Sequence, residues 1–234
     1  MNGKRPTLVL LAGLLNDDAL WRHQIDDLAD IADIVVGDTR SDDDIHRMAE
    51  RVLSAAPERF ALAGLSMGGY CAFEILSFAP ERIDRLALLD TTARADDPDR
   101  MAWRRNFLAS ANDGDFQAIK RQSLEAYIHP SRYDDPNLMA EFDAMAERVG
   151  LATYIRQQQA IMSRKDRRYL LPAVSVPTAV ICGREDKATP LPWNEEIAGA
   201  IPGATLHVVE RAGHLTPMER PEEVTGILRN WLAG

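Results

Sequence analysis

Short apolar runs alternate along this chain with stretches in which apolar residues recur every three or four positions. Residues 7–11 predict a strand, followed by the loop Ala12-Gly13-Leu14-Leu15-Asn16. Residues 19–31 carry Leu20, Trp21, Ile25, Leu28 and Ile31 on one helical face. Residues 34–36 then read as a second strand. Ser41 is the expected N-cap of the next helix, with Asp42, Asp43 and Asp44 in its positive first turn and Ile45, Met48, Ala49, Val52 and Leu53 on its buried face. Pro57 closes that segment. A strand over 60–63, a helix over 67–78 and a strand over 86–89 follow. The rhythm returns after Pro172, with strands over 177–182 and 205–209 and helices over 191–200 and 222–232. Apolar strands alternating with helices predict an α/β chain, its parallel sheet covered by helices on both faces.

Between the two halves the pattern changes. Residues 95–171 hold no strand-like run, only helical segments over 101–109, 116–127, 138–149 and 154–162, with turn signals at Asp97-Pro98, Asp113-Gly114, His129-Pro130 and Leu171-Pro172. The expected organisation is a core formed by 1–94 and 172–234 with an inserted helical lid over 95–171.

At 234 residues the chain suits one domain with a sizeable core. A formal net charge of -9 repels a phosphate backbone or an anionic membrane surface, so neither nucleic acid nor membrane is an expected partner, and a small molecule is. The two cysteines, Cys71 and Cys182, suit buried thiols in a reducing compartment better than a disulfide framework. The apolar run after Pro6 is too short for a signal-peptide core or a membrane span, and cytoplasmic residence is the expectation.

The candidate chemistry begins at Gly64-Leu65-Ser66-Met67-Gly68-Gly69, where an apolar run meets a helical pattern. A serine on a sharp strand-to-helix turn needs neighbours without side chains for the turn to close, and Gly64 and Gly68 meet that demand. A serine hydroxyl becomes a useful nucleophile when a histidine takes its proton and a carboxylate orients the imidazole. Asp186 lies in Gly183-Arg184-Glu185-Asp186-Lys187-Ala188-Thr189-Pro190, just past one expected strand, and His214 lies in Ala212-Gly213-His214-Leu215-Thr216-Pro217-Met218-Glu219, just past the last. The carboxyl ends of parallel strands share one sheet edge, so these loops can converge despite their separation. Asp90, ending the 86–89 strand, is a second candidate for the carboxylate.

With GLSMGG, GREDKATP and AGHLTPMERPEEV in this order, the chain resembles the α/β-hydrolase superfamily from about residue 6 to its end. Its lid position resembles that of carboxylesterases, pimeloyl-carrier methyl esterase, enol-lactonases and the lyase of menaquinone synthesis. The resemblance implies Ser66 as nucleophile, His214 as general base and then acid, Asp186 as orienting carboxylate, and an oxyanion hole from the backbone N–H groups of Leu14 and Met67. It implies no cofactor and no metal. Many relatives carry His-Gly where Ala12-Gly13 stands, and the donors of the hole are backbone groups in either case. Relatives also begin with a β-hairpin for which Met1 to Pro6 leave no room, so a six-stranded, wholly parallel sheet is expected.

The implied reaction is hydrolysis of a small carboxylic ester, thioester or lactone through an acyl-enzyme. An alternative is a lyase or C–C bond hydrolase acting on an anionic substrate, and another is a small-molecule receptor with little turnover. Haloalkane and epoxide chemistry is disfavoured because those relatives place an aspartate where Ser66 stands. In the lid segment twelve Lys or Arg face twelve Asp or Glu. Arg104, Arg105, Arg132 and Arg156 are candidates to pair with a substrate carboxylate. Trp103, Arg104, His129 and Tyr154 are the candidate substrate-binding residues, with Phe107 and Tyr127 as lid core; His23, His46 and His207 are expected to be structural.

Overall fold

The computed structural model describes residues 5–111 and 115–234, so the Asp113-Gly114 turn lies outside the described residues. Strands β1 (Thr7–Leu11), β2 (Asp33–Val36), β3 (Phe60–Leu65), β4 (Ile83–Leu89), β5 (Thr178–Gly183) and β6 (Thr205–Val209) form one sheet in the order β2-β1-β3-β4-β5-β6. Every pairing is parallel, as expected from the sequence. Successive residues of a strand face opposite sides, so each run of apolar residues feeds two cores. Val9, Leu11, Leu62, Leu86, Leu88 and Val180 pack on one side; Leu8, Leu10, Ala61, Ala87, Leu89 and Ile181 pack on the other.

Helices α1 (Arg22–Leu28) and α9 (Pro221–Ala233) cover the second face through Leu28, Val224, Leu228 and Trp231. Helices α2 (Ile45–Ala55), α3 (Met67–Phe78) and α7 (Leu191–Ala200) cover the first through Met48, Val52, Phe73, Ile75 and Ile197. Between β4 and β5 the chain leaves the sheet for α4 (Pro98–Ala111), α5 (Phe116–Tyr127) and α6 (Pro136–Ser163). A four-residue helix α8 (Thr216–Glu219) follows β6. The strand order reverses direction at β1 and β3, and the crevice outside their carboxyl ends is where an open α/β sheet takes its ligand.

Three local expectations change. The helix expected over 19–31 is a 3-10 turn, Asp18–Trp21, capped by Asp17 and followed by the shorter α1. Ser41 does not cap α2. Asp44 does, its carboxylate accepting from the N–H groups of His46 and Arg47, because it directly precedes the first apolar residue, Ile45. Ser41 instead donates to Asp38, while Asp42 and Asp43 pair with Arg51 and Arg47. The segments expected over 138–149 and 154–162 belong to α6, which is broken at Gly150 by a φ of 72° that glycine adopts without steric cost.

Candidate active site

Ser66 joins β3 to α3 with φ 54° and ψ -114°, a conformation that costs a non-glycine residue energy and persists only where its surroundings enforce it. Its N–H donates to Leu89 O at 3.0 Å, and its carbonyl accepts from Thr91 Oγ1 at 2.8 Å. The close approach of α3 to the sheet completes the constraint. A Cβ on Gly64 would sit 2.5 Å from the Gly68 carbonyl oxygen, and one on Gly68 would collide with that of Leu11. The elbow therefore turns Ser66 out over the carboxyl edge of the sheet.

His214 and Asp186 meet in the loops after β6 and β5. His214 Nδ1 is 2.8 Å from Asp186 Oδ2, and both residues are buried. Asp186 Oδ2 also accepts from Thr189 Oγ1 at 2.7 Å, and Oδ1 accepts from the N–H groups of Ala188 and Thr189 at 2.8 and 3.0 Å. Burial pushes this carboxyl up, but His214 and the Thr189 donors outweigh it and hold Asp186 below the ordinary carboxylate range. An ionised Asp186 is acceptor-only, so Nδ1 of His214 carries the proton and Nε2 keeps its lone pair. The His214 loop is itself fixed. Buried Glu219 accepts from the N–H groups of Gly213 (2.9 Å) and Leu215 (3.3 Å) on either side of the histidine, and from that of His129 (2.8 Å). Burial raises the Glu219 carboxyl to about 7 against the pull of those three amides.

Asp90 does not contact His214. It accepts from the Gly183 N–H at 2.8 Å and bonds Thr216 Oγ1, and burial together with repulsion from Asp186 holds its pKa well above the usual range. The ligand atoms of Asp90, Cys182 and Asp186 lie within 4.8 Å of one another. As a cation site they fit poorly: burial keeps the thiol protonated, and both oxygens of each carboxyl already have partners.

The loop after β1 presents the Leu14 N–H, which has no acceptor among the described residues. Next to it Leu15 is forced to φ 63°, and its N–H donates at 3.0 Å to Oε1 of Gln157, a wholly buried side chain of α6. Gln157 Nε2 donates onward to Thr39 O at 3.1 Å, so one side chain ties the loops after β1 and β2 together. Met67 is the first residue of α3, where a helix leaves its N–H without an internal partner.

Ser66, His214 and Leu14 line one cavity of about 300 Å³, closed on the other side by residues of α4, α5 and α6. Trp103, Arg104 and Tyr154 line it, and so do Phe107 and Tyr127, which were expected in the lid core. His129 does not line it: its Nδ1 caps the 3-10 turn Pro130–Arg132 and its Nε2 lies 3.8 Å from Glu185. Arg105, Arg132 and Arg156 also lie outside the lining. Arg104 is inside but engaged, its Nε 2.6 Å from Asp96 Oδ2 and its Nη1 2.7 Å from Gln158 Oε1. Because arginine only donates, Gln158 must turn its oxygen to Arg104 and its Nε2 to Tyr154 Oη, at 2.6 Å. Burial raises the Tyr154 phenol to about 12, so it keeps its proton as a donor. Sequence reading missed Gln157, Gln158, Arg100, Lys187 and Thr189. Lys187 and Thr189 alone had a signal, their place within GREDKATP.

The alpha/beta hydrolase fold family model matches residues 6–221. The chain belongs to that family. Among solved structures it is similar to a thermophilic esterase from Thermogutta terrifontis, with TM-score 0.92 and 29% identity over 99% of this chain and 90% of that one. It shares the fold of an enol-lactonase from Burkholderia xenovorans, with TM-score 0.87 and 24% identity over 99% of this chain and 93% of that one. Among curated proteins it is 23% identical to a putative carbamate hydrolase, RutD, of Yersinia enterocolitica over 97% of this chain and 87% of that protein. It is also 24% identical to a 2-hydroxy-6-oxononadienedioate/2-hydroxy-6-oxononatrienedioate hydrolase of a Pseudomonas species, over 75% of this chain and 64% of that protein. Among the described residues no helix is long and apolar enough to cross a membrane.

Proposed function

We propose that the protein is a serine hydrolase that cleaves a small carboxylic ester, thioester or lactone through an acyl-enzyme. The observation that carries this reading is the strained Ser66 facing the same cavity as a His214 whose Nδ1 is held by Asp186. In the proposed reaction Ser66 Oγ attacks the carbonyl while His214 Nε2 takes its proton. The N–H groups of Leu14 and Met67 receive the oxyanion, and protonated His214 returns its proton to the leaving oxygen or sulfur. Water activated by His214 then releases the acid and frees Ser66. In this reading α4, α5 and α6 act as the lid, and Gln157 makes that lid a support for the oxyanion loop. Neither the scheme nor the lining calls for a metal or an organic cofactor.

A second reading is cleavage of a C–C bond by the same three side chains. It is favoured by the name of the Pseudomonas relative and by a cavity wall that carries cations and no carboxylates among the described residues. Both readings predict covalent labelling by a fluorophosphonate. Under the first, wild-type protein also hydrolyses short 4-nitrophenyl esters with multiple turnovers; rapid labelling with negligible ester turnover favours the second. Failure of both labelling and turnover contradicts the two together.

A further inference from the structure

The cavity differs in charge from the protein around it. The chain carries 36 acidic against 27 basic side chains, yet among the described residues no Asp or Glu lines the cavity, whereas Arg100, Arg104 and Lys187 do. Compensation nearby is incomplete. Buried Asp96 is the carboxylate for three guanidinium groups: Arg104 and Arg164 each bond it at 2.6 Å, and Arg100 stands 3.6 Å away. Arg100 is steadied by neutral partners instead, donating to Ala188 O at 2.7 Å and lying 4.8 Å from the centre of the Trp193 ring. Lys187 has no carboxylate within ion-pair distance among the described residues. Its ammonium reaches only the Glu125 carbonyl, at 3.4 Å. Uncompensated charge of one sign on low-dielectric walls concentrates a ligand of the other sign.

We infer that the substrate carries a carboxylate at a distance from its scissile carbonyl, held by Arg100 and Lys187. This deepens the reading above and rests on it for the bond that breaks. The cavity is built for the pairing: Trp103, Phe107, Tyr154 and Ile161 supply an apolar wall for a short carbon chain. Arg104 is not the partner, because its charge is paired with the buried Asp96 carboxylate and its Nη1 is bonded to Gln158. Its part is indirect, since it sets Gln158 and so turns the Tyr154 hydroxyl to donate to a substrate oxygen. The expected class is a monoester or lactone of a small dicarboxylic or hydroxy acid.

The test compares substrates matched in length: 4-nitrophenyl hydrogen glutarate with 4-nitrophenyl pentanoate, and 4-acetoxybutanoate with butyl acetate. Glutarate binding is measured separately by calorimetry. Wild-type kcat/KM should favour the anionic member of at least one pair by about tenfold or more, as a charge-assisted contact allows. That ratio should fall several-fold in Lys187→Met and in Arg100→Gln and vanish in the double variant, while Arg105→Gln, which removes a cation outside the cavity, keeps it. Glutarate should bind wild type and not the double variant. Equal handling of both members of each pair, or a preference that survives the double substitution, overturns the inference and leaves the ester reading standing. Glutarate binding lost in the double variant but without turnover of any ester leaves the anion site standing and removes the ester reading.

Discussion

Asp186→Asn is expected to lower kcat by about four orders of magnitude, while Asp90→Asn keeps kcat within a few-fold of wild type. The expectation follows from the four donors around Asp186. An asparagine would keep its oxygen on the N–H groups of Ala188 and Thr189 and turn its NH2 group toward Thr189 Oγ1 and His214 Nδ1. The imidazole would then accept at Nδ1 and carry its proton on Nε2, the tautomer unable to take a proton from Ser66. Asp90 tolerates the same change because its surroundings already favour the neutral acid, and asparagine can accept from the Gly183 N–H and donate to Thr216 Oγ1. Steady-state kinetics and fluorophosphonate labelling rates on both variants decide the matter. An inactive Asp90→Asn beside an active Asp186→Asn would move the triad acid to the end of β4.

The two carboxyls also predict opposite effects of pH on stability. Asp186 has its pKa lowered by folding, so its contribution is present above 3.8 and is lost as pH falls through the depressed value. Asp90 has its pKa raised by burial and by Asp186, so its contribution is present below 3.8 and is lost as pH rises through the elevated value. Asp90→Asn removes the second loss, and its Tm should rise relative to wild type toward alkaline pH.

Gly183→Ala is expected to be the most destabilising methyl addition near the site. Gly183 ends β5, and a Cβ there would fall on the Gly213 carbonyl oxygen and within 2.9 Å of the Ala212 carbonyl carbon. These are backbone atoms of the His214 loop, stitched to the Asp186 loop by the Glu185 N–H to Ala212 O bond at 3.1 Å, so relief requires the two loops to part. Overpacking against backbone costs about 3 kcal/mol or more, which in a chain of this size lowers Tm by on the order of 6–12 °C. Activity should fall with it, because parting the loops lengthens the His214–Asp186 contact. Gly199→Ala is the control: it lies in α7 with nothing within 4 Å, and alanine there should hold or slightly raise Tm. Thermal unfolding followed by circular dichroism separates the two, and a Gly183→Ala protein that melts with wild type would show that the loops are not packed this closely.

The sheet was legible because its four inner strands are largely buried on both faces and therefore read as apolar runs. Element ends were less legible. Ser41 and Asp44 both have N-cap chemistry, and the position of Ile45, not the residue type, selects Asp44. The loops bearing Ser66, Asp186 and His214 could be placed on one edge because parallel topology leaves little choice. The cavity wall could not be read, since side chains from α4, α5 and α6 meet there only in the folded chain. His129 and Arg104 looked equally available in sequence, yet one packs against Glu185 and the other is spent on Asp96 and Gln158. Lys187, inside the motif that holds Asp186, is distinguished by having no carboxylate partner among the described residues, a property of three-dimensional packing alone.

The proposed reaction depends most on Ser66 forming a covalent bond to the acyl group. Acid-quenching the protein during turnover of a 4-nitrophenyl ester and mapping its peptides by mass spectrometry tests that bond directly. The acyl-enzyme route predicts one acyl adduct, on Ser66, and a Ser66→Ala protein that folds with unchanged circular dichroism, carries no adduct and loses turnover by about four to six orders of magnitude. A Ser66→Ala protein that still hydrolyses the ester at the wild-type rate, or an adduct found on another residue, would contradict it.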